Sequence, residues 1–167
     1  MTQEEKKAII DKCVEEGVKA QIRDDVCSRS TLVGLKSYFD WIPDEMIKAS
    51  ASLCGGSGSA SGSCGAYCCG LLAVGLKYNS TIDEELQDDE AFGKTAMHFS
   101  QYRDKFIAEM GSIMCPKVHE KLFGRSYNLL DDAEAQEFLT LPGHVEKCAE
   151  TVATATRLAA EMLLAEE

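Results

Sequence analysis

A chain of 167 residues with 45% hydrophobic content is long enough to bury a core of its own, and its length points to one domain spanning residues 1–167. Its formal charge of -11, from 28 acidic against 17 basic side chains, excludes nucleic acid as a partner because a phosphate backbone would repel such a surface. The opening MTQEEKKAII has neither the basic start nor the apolar run of a secretory signal, and no stretch approaches about 18 apolar residues, so a cytoplasmic protein without membrane insertion is expected.

Residues 2–20 carry Ile9, Ile10, Cys13, Val14 and Gly17 at helical spacing between charges, which predicts an amphipathic first helix with Cys13 on its apolar stripe. After the polar break RDDVCSRS, a second helix places Leu32, Leu35, Tyr38 and Phe39 on its buried side. Pro43 opens a third, with Asp44 and Glu45 suited to the positive end of its dipole. That helix runs through Met46, Ala49 and Leu53 into CGGSGSASGSC, a loop, because so many glycines and serines do not extend a helix cheaply.

Residues 64–78 contain almost no charge, which predicts a central helix buried on most sides. The acidic connector STIDEELQDDE leads to a long helix at about 88–111, antiparallel to the central one, with Phe92, Ala96, Phe99, Tyr102, Phe106 and Met110 on one side and Gly111 ending it. Cys115-Pro116 starts a shorter helix with Val118 and Leu122, a turn follows near Gly124, and another short helix spans 131–138. Beyond Leu141-Pro142-Gly143, a last helix aligns Val145, Cys148, Ala149, Val152, Ala155, Ala159, Met162 and Leu163. With no alternating apolar pattern and no fixed-period repeat, the expected fold class is all-α, a single-domain helical bundle.

Eight cysteines, Cys13, Cys27, Cys54, Cys64, Cys68, Cys69, Cys115 and Cys148, are expected as thiols, since cytosolic reductants oppose structural disulfides. In such a chain they point to metal or redox chemistry. Cys64 and Cys68 stand four apart and share a helical face, with Cys69 turned about a hundred degrees away. Cys64 falls in a first helical turn, where unpaired N–H groups and the dipole favour a thiolate.

The plain alternative is that free cysteine packs as a small hydrophobe, which best suits Cys13. Three cysteines within residues 64–69 exceed what packing asks. No CxxC, zinc-finger or ferredoxin spacing occurs, so spacing names no metal. The glycine-rich loop lacks the GK[ST] ending of a phosphate-binding loop. His98, His119 and His144 read as ordinary residues, with His144 the best placed because it precedes Cys148 by four on one helical face.

The pattern CGA at Cys64, followed by GLKY, with Cys27 after the first helix, Cys115 after Gly111-Ser112 and Cys148 in the last helix, resembles the redox-active family named for its C-GCAxxG-C-C signature. Related sequence occurs in split-Soret cytochromes. The resemblance covers most of the chain and departs where the glycine expected three residues after Ala66 is Cys69, with glycine only at Gly70. It implies an α-helical fold and a redox or iron–sulfur role, often in anaerobes.

On this reading Cys27, Cys64, Cys115 and Cys148 are the expected metal ligands, with Cys54, Cys68 and Cys69 as further cofactor-binding thiols. An iron–sulfur cluster is the leading cofactor, zinc in a structural helical module the lesser one, and a redox protein the expected partner. Thiol–disulfide exchange with Cys64 attacking and Cys68 or Cys54 resolving is the enzymatic alternative. Cluster type, oligomeric state (including a homodimer) and whether the protein is an enzyme stay open.

Overall fold

Helix starts are written locally. The computed structural model describes residues 1–165, and its first helix, α1 (Gln3–Asp24), opens on a capping box in which the Thr2 hydroxyl accepts from the Glu5 N–H and the Glu5 carboxylate accepts from the Thr2 N–H. Asp25, in the left-handed region at φ 51°, closes it. There follow α2 (Cys27–Lys36), α3 (Asp44–Ser50) with a 3₁₀ turn at Ala51–Leu53, α4 (Gly65–Tyr78), α5 (Ile82–Gln87), α6 (Ala91–Met110), α7 (Cys115–Phe123), α8 (Asp132–Thr140) and α9 (His144–Leu163). The all-α expectation holds, and among the described residues no helix is long and apolar enough to cross a membrane.

The core forms where α1, α2, α4, α6 and α9 pack together. Contacts at both ends fix their directions. Lys6 reaches the Leu164 carbonyl while Asp25 meets His144, so α1 and α9 are antiparallel. Tyr67 packs on Phe106 and Tyr78 on His98, so α4 and α6 are antiparallel too, as expected. α1 and α2 touch backbone to backbone, since a Cβ at Gly34 would lie 2.5 Å from the Cys13 carbonyl oxygen and 2.8 Å from the Gly17 Cα. Cys13, fully buried at that crossing, is a packing residue.

Three features differ from the sequence reading. The helix at 65–78 is buried along one side only, because Leu72 and Leu76 are 41% and 44% exposed; α9, touching α1, α2, α4, α6 and α8, is the more enclosed element. The acidic connector contains α5, whose Thr81 and Glu84 form a second capping box that the hydrophobic pattern does not register. The long helix begins at Ala91, and its first turns overhang the core: Phe92 is exposed, and burial starts in earnest at Tyr102.

Candidate redox site

Four polypeptide segments converge at one end of the bundle, three of them as helix starts. Cys27 is the first residue of α2, Cys64 is the N-cap of α4, Cys115 is the first residue of α7, and Cys148 lies just past the first turn of α9. Pro116 suits the opening turn of α7, having no N–H to leave unpaired there.

Cys64 and Cys115 are held side by side by backbone. The Cys64 N–H donates to the Ile113 carbonyl at 2.7 Å and the Cys115 N–H to the Gly62 carbonyl at 2.8 Å, an antiparallel bridge centred on Ser63 and Met114. The loop between Cys54 and Cys64 coils left-handed: Gly55, Gly56, Ser57, Gly58 and Ser59 all have positive φ, and its N–H groups bond back to Leu53, Ser52, Cys54, Gly55 and Gly56. Gly56 is needed there, since a Cβ would meet the Gly62 nitrogen at 2.5 Å. A loop that turns five of its amides back on its own segment is no phosphate cradle, and it fixes Cys54 beside the other thiols instead.

Cys27, Cys54, Cys64, Cys115 and Cys148 line one cavity of about 160 Å³. That is close to the roughly 150 Å³ hole in which a protein can hold a benzene-sized guest. Gln21, Asp25 and Thr151 border it from α1 and α9, and Val118, Leu129 and Phe138 from α7, α8 and the turn between them. Among the described residues, no three His, Cys, Asp or Glu side chains are grouped so as to hold a single metal ion. The thiols surround a space.

Electrostatics shows how strongly the site resists free thiolates. Burial pushes the Cys27 thiol up to about 11, although the N–H groups of Gly55, Ala66 and Ser28 pull the other way. Burial, then repulsion from Cys27 and Cys115, raises Cys64 well above the usual thiol range, outweighing the amides of Ala66 and Tyr67 at the start of α4. Cys115 and Cys148 are raised by burial and by neighbouring thiols, Cys27 first in each case. Cys64 is thus not the acidified nucleophile its helix position suggests: desolvation of a fully enclosed sulfur exceeds what a helix start returns.

Two of the seven expected cofactor thiols stand elsewhere. Cys69 is fully buried inside the core, near Ser50, and Cys68 is half-buried outside the cavity lining, near Ser57. The i, i+4 argument that paired Cys64 with Cys68 fails because Cys64, at φ -56° and ψ 127°, is not helical, so its side chain leaves the face that Cys68 occupies.

The histidines also sort differently. His144 gives its Nε2 to the Asp25 carboxylate at 2.8 Å and is not in the cavity lining, while His98 stacks on Tyr78 with ring centroids 4.0 Å apart. His119 is the histidine at the site: it lines the cavity with its Nε2 3.4 Å from the Cys115 sulfur, and burial lowers its pKa to about 4. The signal was available, for Cys115 and His119 are four apart in one helix, the same spacing as His144 and Cys148.

A family model described as "Putative redox-active protein (C_GCAxxG_C_C)" matches residues 26–162. The chain belongs to this family. The matched span includes all five cysteines that line the cavity, Cys27, Cys54, Cys64, Cys115 and Cys148. Membership gives the chain a place among redox-active proteins with a cysteine motif. No curated protein and no solved structure matches it.

Proposed function

We propose that the cavity holds an iron–sulfur cluster ligated by Cys27, Cys64, Cys115 and Cys148, and that the protein transfers or senses electrons. The observation that carries this reading is one cavity lined by thiols at the starts of α2, α4 and α7 and by a fourth just past the first turn of α9. The donor set fits: soft thiolates are the ligands iron–sulfur clusters take. When bound, the cluster would supply a one-electron acceptor and donor.

The chain's own residues do the rest. Buried thiols that push each other's pKa upward are quiet when free and give up their protons only to a strong cation, which keeps the metal-free site from reacting at random. Helix starts aimed at the cavity offset the negative charge of several thiolates. The aromatic wall of Phe123, Tyr127 and Phe138 around His119 limits water. A charge of -11 suits a redox partner with a basic surface, in a reducing compartment such as the cytoplasm.

A single zinc ion asks for every sulfur about 2.3 Å from one point. A polynuclear cluster, carrying one thiolate on each iron, suits thiols spread around a space. Thiol–disulfide exchange is less well supported, since burial raises the attacking Cys64; of its two resolving candidates Cys68 lies outside the cavity and Cys54 lines it.

Protein purified without oxygen, or reconstituted with ferrous iron and sulfide, is expected to be brown and to contain iron and acid-labile sulfide. Colourless, iron-free protein after reconstitution overturns the reading, and stoichiometric zinc without colour replaces it with the zinc module.

A further inference from the structure

Within the cavity wall, one nitrogen-bearing side chain faces a signature sulfur. His119 and Cys115 lie one turn apart on α7, both buried, with Nε2 3.4 Å from Sγ. The ring has little freedom to turn away. It stacks on Phe138 with centroids 4.3 Å apart and planes 24° from parallel, and it meets Phe123 and Tyr127 edge-on at 5.8 and 6.0 Å.

The other ring nitrogen decides what this contact is. His119 Nδ1 is buried with no hydrogen-bond partner. A neutral imidazole has one proton to place, and a buried N–H with nothing to receive it is costly. The proton therefore belongs on Nε2, facing the sulfur. A histidine that ligates metal almost always hands its second N–H to a carboxylate, carbonyl or water, and His119 has no such support among the described residues.

We propose that His119 is a positioning residue: its Nε2–H donates to the Cys115 sulfur, holds that ligand in place and raises the reduction potential of the site. This rests on the cluster reading above. A hydrogen bond to a ligating sulfur withdraws electron density from it and so favours the reduced, more negative state. The protein contributes a fixed donor, and no proton is transferred.

The test is the midpoint potential of anaerobically purified holoprotein, followed by visible absorption and electron paramagnetic resonance, with iron and sulfide measured on the same samples. His119→Phe keeps the ring stack and removes the donor, and His119→Gln restores an N–H at a similar reach. The expected result is a lower potential for the Phe variant and a return toward wild type for the Gln variant, with equal iron in all three. Equal potentials in wild type and His119→Phe overturn the inference, as does an equal shift in both variants or loss of iron in both, which would make His119 a ligand. Iron-free wild-type protein instead defeats the cluster reading. In that case long-range proton–nitrogen correlation on the metal-free protein still decides the contact: a proton on Nε2 supports the donor, and a proton on Nδ1 overturns it.

Discussion

Cys64 and Cys115, 51 positions apart, are neighbours because each one's amide is spent on the carbonyl of the residue two before the other. Neither N–H belongs to a helix ladder, yet both are paired at 2.7 and 2.8 Å. Amides that open only when a paired segment separates exchange slowly. The expected outcome, in metal-free protein, is that the Cys64 and Cys115 amides exchange at rates close to those of core helices, measured by NMR. Exchange orders of magnitude faster than in the core helices would show that the two segments are not stitched before metal arrives.

Substituting the cysteines one at a time separates the site from the core. Serine at 27, 64, 115 or 148 is expected to remove most of the bound iron while leaving the helical spectrum intact. Alanine at Cys13 or Cys69, both fully buried in the core, should leave iron per chain unchanged and lower stability by about 1–2 kcal/mol, as a small cavity replaces each sulfur. Iron analysis beside chemical denaturation checks both halves. Iron lost in Cys69→Ala but kept in Cys148→Ser would invert the assignment.

How much of this was written in the sequence differs by level. Helix existence was legible wherever apolar spacing or a breaker marked it, as with Pro43, Gly111 and Leu141-Pro142-Gly143. The α5 turn was not, since its evidence is the Thr81–Glu84 cap and not a stripe. The four signature cysteines could be chosen from the resemblance; Cys27, Cys64 and Cys115 fall at helix starts and Cys148 just past the first turn of α9. Cys68 is paired with Cys64 only when a helical wheel is extended onto Cys64, a cap residue with non-helical backbone, whereas the same wheel already turns Cys69 away. The site's closure, which raises the thiol pKa values, depends on α7, α8 and α9 folding over residues far away in sequence, and no local window contains it.

Alkali should weaken the metal-free protein. Burial raises the thiols of Cys13 and Cys69 and the Tyr102 hydroxyl above their ordinary values. The unfolded chain releases thiol protons near pH 8.5 and phenol protons near pH 10, roughly, while the folded protein retains them. Stability from these groups is thus complete below about pH 8 and is lost as pH rises through the unfolded values toward the folded ones. Denaturant midpoints measured from pH 7 to 10.5 are expected to fall, and to fall less steeply in a Cys13→Ala, Cys69→Ala double variant. A flat profile would mean the buried thiols ionise as readily folded as unfolded.

Gly70 tests the packing that supports α4. A Cβ at this position would lie 1.9 Å from the Tyr102 hydroxyl oxygen and 2.5 Å from its Cζ, far inside contact distance. Tyr102 is fully buried, donates to the Ala155 carbonyl at 3.4 Å and stacks on Tyr67 at 5.6 Å, so it has no vacant space to enter. Gly70→Ala is therefore expected to cost about 1–3 kcal/mol, the usual penalty for overpacking. The clash is with one ring, so shortening that ring should relieve it: in Gly70→Ala, Tyr102→Leu the loss should be smaller than the sum of the two single losses. A denaturation cycle over the four proteins measures this coupling, and strict additivity would place the strain of Gly70→Ala somewhere other than Tyr102.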